Sequence, residues 1–274
     1  VPTLAERIDE AHADLTPQEQ RAAEFMRAHL ADLAVYNATE VARFSGVSKA
    51  TVSRLYRRLG FESAEDLREH VRSLRAAGTP VVSAATTAQA TYLEQELANL
   101  RAALTGVDLA PAATAIARAG RVLVLGYRNS FPVALHLRQQ LTQARAGVEL
   151  APQPGQSVGE ELAGLVEGDV VVLVGFRRRP AYFGRLVAAI AEGPATLVLL
   201  TDPSGRAHGR SAAHVIECPI ETASAFDSYS AAASVVGLLA ATVLASDPRR
   251  AGRRIASIDS VYASLDELEG RPSA

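Results

Sequence analysis

The stretch that constrains this chain most is Ala38 to Phe61, ATEVARFSGVSKATVSRLYRRLGF. Val41, Ala42, Phe44, Val47, Val52 and Leu55 recur at spacings that turn apolar side chains inward on two short helices, with Gly46 at the corner between them. Gly46 supplies the positive φ on which many helices end, and Ser48 caps the helix that follows. Small Ala42 lets the two helices approach closely. The pattern is that of a helix-turn-helix.

Its second helix, Lys49 to Leu59, has an apolar face of Val52, Leu55 and Leu59 and a polar, basic face opposite. A recognition helix in the major groove offers its N-terminal residues to base edges and its flanks to phosphates. The candidate DNA-binding residues are therefore Ser48, Lys49, Ala50, Thr51, Ser53 and Arg54, with Arg57 and Arg58 a turn further on and suited to phosphates. From Arg43 to Arg58 there are five basic residues and no acidic one. The alternative is a helical hairpin that packs against another protein, its arginines simply solvated.

Local patterning around this motif completes a helical domain over residues 1–76. Leu4 to Ala13 is amphipathic, and Thr16-Pro17-Gln18-Glu19 reads as a capping threonine, a first-turn proline and an early acid. Ala22, Phe25, Met26 and Leu30 give the next helix its apolar face, and Ser63 caps a further helix that runs to Leu74.

A chain of 274 residues suggests two domains, and 48% hydrophobic residues support a sizeable core. The net charge is only −2, so nucleic-acid binding has to rest on the basic patch and not on the total. No apolar run reaches the roughly 18 to 20 residues that span a bilayer, and the first 30 residues lack the apolar centre of a signal peptide. The sole cysteine, Cys218, excludes an internal disulfide and sits in an apolar setting, HVIECPI, that reads as a buried strand. These features predict a cytoplasmic protein with no membrane partner. The six histidines do not cluster at ligand spacing, and GYRNSF is too degenerate for a dinucleotide fingerprint, so neither a metal nor a nicotinamide cofactor is expected.

Residues 77–90 are rich in Gly, Pro, Ser, Thr and Ala and read as a linker. Thr91 to Leu104 then sets Leu93, Leu97, Leu100 and Leu104 in line on a helix, and Asp108 to Arg118 predicts another. Beyond it, strands alternate with helices: Arg121–Leu125, Val148–Ala151, Asp169–Val174, Ala195–Leu200 and His214–Cys218. That alternation predicts a doubly wound α/β domain over residues 91–270 with a five-stranded parallel sheet. The leucine-lined helix and the segment 231–268 either form an oligomer interface or cover the sheet of their own subunit.

The order of elements resembles the RpiR/MurR family of bacterial transcriptional regulators. The matching residues are LTPQEQRAAEFM (Leu15 to Met26), the helix-turn-helix stretch, and FESAEDLREHV (Phe61 to Val71). The resemblance continues into a sugar isomerase (SIS) body. It implies a ligand-responsive regulator that binds double-stranded operator DNA as a homodimer or homotetramer and senses a sugar phosphate or related anion through the body.

Against that family pattern the ligand loops depart in chemistry. The loop Gly126-Tyr127-Arg128-Asn129-Ser130 resembles the family's sugar-phosphate loop, with Ser130 at its serine position and Arg128 in place of its second glycine. The serine-rich cradle after the third strand is replaced by Gly175-Phe176-Arg177-Arg178-Arg179-Pro180. Guanidinium groups reach further than hydroxyls and pair bidentately with carboxylates or phosphates. The candidate effector-binding residues are Tyr127, Arg128, Asn129, Ser130, Phe176, Arg177, Arg178, Arg179 and Ser224, for an anionic metabolite that is a sugar phosphate or an organic acid. The alternative places the arginine loop in a dimer interface or on the surface.

Asp202 and Ser204 either order this pocket or simply form a turn, and Asp227 and Ser228 either touch ligand or cap the long apolar helix that follows. SIS bodies also occur in isomerases, so the alternative function is a sugar-phosphate isomerase-like enzyme with an accessory helical domain. Its proton-moving base would come from Glu160, Glu161 or His136. A helix-surface Glu is usually solvated and His136 reads as a packing residue, so no catalytic residue is expected.

Overall fold

The computed structural model describes residues 2–30, 33, 36–76, 89–222 and 224–268. The chain divides into two compact units, residues 1–96 with 221–228, and residues 97–220 with 229–274. The expected linker, 77–90, lies outside the described residues over 77–88, while Gln89 and Ala90 are already helical.

The N-terminal unit is built from helices whose starts are written locally. Helices α1 (Leu4–Ala11), α2 (Pro17–Ala28) and α3 (Ala38–Ser45) each open on a capping box, in which Thr3, Thr16 or Asn37 bonds the third residue of the helix and Glu6, Glu19 or Glu40 bonds back. Helix α3 ends at Gly46 with φ 69°, and Ser48 caps α4 (Lys49–Arg58). A Cβ on Gly46 would meet no atom within 4 Å, so the backbone angle alone calls for glycine there. Helix α5 (Ala64–Ala76) follows, with the Ser63 hydroxyl accepting from the Asp66 N–H at 3.1 Å. Leu4, Ile8, Met26, Val41, Val52, Leu55 and Leu67 share one core.

One helix-turn-helix expectation fails. Phe44 does not turn inward; it is 48% exposed. Its ring lies beside Tyr36 at 5.3 Å and Phe25 at 6.1 Å, and the Arg43 guanidinium stands over it at 4.5 Å. Apolar spacing marks a face of a helix but does not say how far the core beneath it extends.

The second unit follows α6 (Gln89–Thr105), a helix that crosses the division between units, with α7 (Ala110–Arg118). Strands β1 (Val122–Gly126), β2 (Val148–Ala151), β3 (Val170–Gly175), β4 (Thr196–Thr201) and β5 (His214–Glu217) form a five-stranded parallel sheet in the order β2-β1-β3-β4-β5. Helices α8 (Ser130–Ala144), α9 (Val158–Ala163) and α10 (Phe183–Ala191) connect the strands, and α11 (Ser230–Ser246) and α12 (Pro248–Leu265) close the chain.

Successive strand residues feed two cores. Val122, Val124, Val170, Val172 and Val198 pack with Ile116, Leu137, Leu141, Val235 and Leu239 from α7, α8 and α11. Leu123, Leu125, Val171, Leu173 and Leu199 pack with Phe183, Val187 and Ile190 from α10. Burial on both faces explains why the strands are nearly all Val and Leu. Helix α11 buries Ala231, Val235, Val236, Leu239 and Val243 in the first of these cores, and among the described residues no single helix is long and apolar enough to cross a membrane. Helix α11 starts after Tyr229, whose side chain makes no capping bond.

Candidate functional site

Helix α4 buries Val52, Leu55 and Tyr56 and leaves Lys49, Ala50, Arg54 and Arg57 exposed, with Ser53 half-exposed. At about 100° per residue these five side chains share one face of the helix. Ser48 opens that face at the helix start, accepting the Thr51 N–H at 3.1 Å. Thr51 differs from the rest of the expected set. It is 5% exposed, and its hydroxyl lies 2.9 Å from that of Ser48 and accepts from Arg54 Nη2 at 3.4 Å. Thr51 thus braces the helix start and aims Arg54, which corrects the expectation that its own side chain meets DNA.

Arg58 is also committed inside the unit. Its Nη1 donates to the Asp14 carbonyl at 2.7 Å and its Nε lies 3.5 Å from Glu19 Oε1. A further fixing residue was not read from sequence: Arg7 Nη1 donates to the Leu59 carbonyl at 2.9 Å and its guanidinium stacks over Phe61 at 4.6 Å. It holds the far end of α4 to α1. Its signal is invisible locally because donor and acceptor are 52 residues apart.

In the second unit, the strand order reverses direction between β1 and β3, and ligands of such sheets bind beyond the strand ends at that reversal. Gly126 pairs with Val174 in register, so the loops after β1 and β3 lie side by side. A Cβ on Gly126 would come within 2.7 Å of Ala134 Cβ and 2.9 Å of the Ser130 carbonyl, so the close turn into α8 requires glycine. The Ser130 hydroxyl then accepts the Phe176 N–H at 3.0 Å, tying the two loops together.

Several expected ligand groups are used up within these loops. Phe176 is buried, its ring edge-on to Tyr229 at 5.7 Å, and the Tyr229 hydroxyl donates to the Arg177 carbonyl at 3.5 Å. Arg179 donates from Nε to the Gly175 carbonyl at 2.8 Å and from Nη2 to Thr201 Oγ1 at 3.0 Å, and pairs with Asp202. Burial pulls the Arg179 guanidinium below the usual arginine range, and the Asp202 carboxylate opposes this. Asp202 also accepts the Arg177 N–H at 2.9 Å and the Ser204 N–H at 3.1 Å, which joins turn formation to loop ordering. These bonds correct the expectation for Phe176 and Arg179: both shape the loop from inside.

Arg128 and Asn129 are exposed, and Arg178 is exposed beside half-buried Arg177. Arg128 adopts φ 55°, the left-handed conformation that the glycine of the resembling loop would take without strain. The Tyr127 ring meets Tyr182 edge-to-face at 5.8 Å, and burial raises its hydroxyl well above the ordinary tyrosine value. The Ser224 hydroxyl donates to the Phe226 carbonyl at 3.0 Å within the segment 221–228, which groups with the first unit.

The candidate bases are placed elsewhere. Glu161 pairs with Arg121 Nη2 at 2.6 Å, at the start of β1 and so at the opposite end of the strands from the ligand loops. His136 is exposed on α8, which corrects its reading as a packing residue. Cys218 is fully buried and its thiol is pushed up to about 12 by burial, so it is protonated at neutral pH.

A helix-turn-helix head and a sugar-isomerase-type body define a two-part class of protein. Residues 3–77 match the helix-turn-helix domain of the rpiR family and residues 115–242 match the SIS domain. The chain thus carries an rpiR-family helix-turn-helix domain followed in sequence by a SIS domain. Among solved structures, it is similar to the sugar isomerase domain of an RpiR transcription factor from Sphaerobacter thermophilus, with 25% identity and TM-score 0.58 over 62% of this chain and 97% of that one. The Vibrio vulnificus NanR protein, solved in complex with ManNAc-6P, shares the fold at 16% identity and TM-score 0.57, over 96% of this chain and 99% of that one. Comparison with curated protein sequences gave no match.

Proposed function

We propose that the protein is a ligand-responsive transcriptional regulator that reads operator DNA with α4 and senses an anionic metabolite with its SIS body. The observation that carries the reading is the exposed face of α4, where Lys49, Ala50, Ser53, Arg54 and Arg57 stand over a buried Val52 and Leu55. A basic, cap-anchored face of this kind suits base edges at its N-terminal end and phosphates along its flank. In this reading residues 1–76 form the DNA-binding domain, 77–90 the linker and 91–270 the effector-binding and oligomerisation domain, and the protein works in the cytoplasm.

The effector contacts in this reading are Tyr127, Arg128, Asn129, Arg177 and Arg178, with Ser130, Phe176 and Arg179 shaping the loops beneath them. Guanidinium chemistry supports an anionic effector, a sugar phosphate or an organic acid, and the ManNAc-6P complex of the similarly folded Vibrio vulnificus NanR supports the first. The reading is non-catalytic, since Glu161 is engaged in an ion pair away from the loops and His136 faces solvent. A homodimer or homotetramer supplies two heads for two half-sites. Ligand then shifts operator affinity by the roughly 5- to 150-fold typical of coupled sites.

The test is a titration of the full chain against promoter fragments flanking its own gene at two salt concentrations, with and without a panel of sugar phosphates and organic acids. Specific, salt-sensitive binding that one anion alters supports the reading. Turnover of a sugar phosphate without specific DNA binding overturns it.

A further inference from the structure

Helix α6 turns polar residues inward and leucines outward. Glu96, Asn99 and Ala103 are buried, whereas Leu93 and Leu97 are 57% and 53% exposed, Leu104 is exposed and Leu100 is half-buried. The four leucines are separated by four, three and four residues, the alternating spacing of a coiled-coil seam. Beside that seam the two flanks differ. The flank that holds Glu96 and Ala103 is buried within the chain; the flank that holds Glu94 and Arg101 is exposed, and among the described residues neither of these two charges is engaged in an ion pair.

We propose that α6 is covered by α6 of a second copy of this chain, the two helices running antiparallel about a two-fold axis. The inference rests on the oligomeric reading given above and adds to it a surface and a register. The orientation follows from the flanks. A parallel pair sets one flank of each helix against the opposite flank of the other, and the Glu96 flank is closed off by its own chain. An antiparallel pair sets like flank against like flank and uses only the open one. Leu97 then packs against Leu100 of the partner subunit, and Leu93 against Leu104 of the partner subunit. Glu94 faces Arg101 of the partner subunit, and the two-fold axis repeats the pair with Arg101 and the partner subunit's Glu94. The charges are complementary in this register, and a surface that meets itself in this way closes as a dimer.

Sedimentation of the full chain tests the seam with Glu94→Arg, Arg101→Glu, the double swap and Leu97→Glu. Each single charge reversal places like charges together twice and is expected to weaken self-association about tenfold, and the double swap is expected to restore it. Leu97→Glu is expected to give monomers with unchanged circular dichroism, since its side chain supports no intrachain core. A dimer that tolerates Leu97→Glu and both single reversals overturns the seam and leaves the dimeric reading standing. Single reversals that weaken the dimer without rescue by the double swap overturn the antiparallel register. A wild-type chain that stays monomeric up to its solubility limit overturns both.

Discussion

Arg179 and Asp202 form an ion pair across the ends of β3 and β4, with only 12% and 2% of their side chains exposed. The pair is surrounded by the Gly175 carbonyl, Thr201 Oγ1 and Ser204 Oγ, so neither charge is left to solvent. Removing one partner strands the other. Arg179→Ala is expected to destabilise the body by about 3 kcal/mol, the scale for breaking a buried pair from one side. Denaturant titration of the variant beside the wild type reads the loss.

The arginines of α4 divide in the same way. Arg54→Ala is expected to weaken operator binding by about 1 to 3 kcal/mol with little change in stability, because the side chain is exposed and its bond to Thr51 Oγ1 is long at 3.4 Å. Arg57→Ala is expected to weaken binding to all sequences and to lower the salt slope by about one ion. Arg58→Ala is expected to lower stability as well, since it loses bonds to the Asp14 carbonyl and Glu19. Fluorescence anisotropy at two salt concentrations, beside thermal melts, distinguishes the three.

What was legible in the sequence was what neighbouring residues decide. The capping roles of Thr16, Ser48 and Ser63 lie within three residues of the groups they bond, and the strand Val170–Gly175 announces itself by an uninterrupted apolar run. The parallel sheet followed from alternation alone. Long-range pairing was not legible: Arg179 reads as a free ligand until Asp202, 23 residues later, is placed against it. Phe44 fails differently, since periodicity identifies an apolar face without identifying what covers it.

Glu19 gives the head a dependence on acid. Its carboxylate accepts the Thr16 N–H at 3.0 Å and the Thr16 hydroxyl at 2.8 Å, and Arg58 lies nearby; these hold it below its ordinary value of 4.5 although burial works against them. A carboxyl held low in the folded state binds fewer protons than in the unfolded chain. Its contribution is therefore present above pH 4.5 and lost as pH falls through the folded value. Hydrogen exchange of the α2 amides between neutral pH and pH 3 is expected to show this loss in the wild type. Glu19→Gln is expected to be weaker at neutral pH and flatter across the range.

Arg145 holds the end of α7 through backbone carbonyls. It is 3% exposed, and its guanidinium donates to the carbonyls of Ile116, Ala119, Gly120 and Ala146. Burial lowers its proton affinity from the usual arginine range, the Arg250 charge adds to this, and the Asp169 carboxylate opposes it. Arg145→Lys keeps the charge but cannot fork to several acceptors. It is expected to cost about 3 kcal/mol by leaving buried carbonyls unpaired, read as a lower unfolding midpoint with an unchanged denaturant slope.

Arg128 makes stability and ligand binding move in opposite directions. Its φ of 55° costs a residue with a Cβ about 1 to 2 kcal/mol relative to glycine, whose greater freedom in the unfolded chain returns about 0.5 to 1 kcal/mol of that difference. Arg128→Gly is therefore expected to stabilise the body by about 0.5 to 1 kcal/mol. If the exposed guanidinium grips the anionic effector, the same substitution is expected to lower effector affinity by about tenfold or more, the loss of one charge-assisted pair. A thermal melt and a calorimetric titration with the anion that alters operator binding read the two effects on one protein. A higher melting temperature with unchanged affinity would remove Arg128 from the effector site and leave its left-handed backbone without a ligand-binding reason.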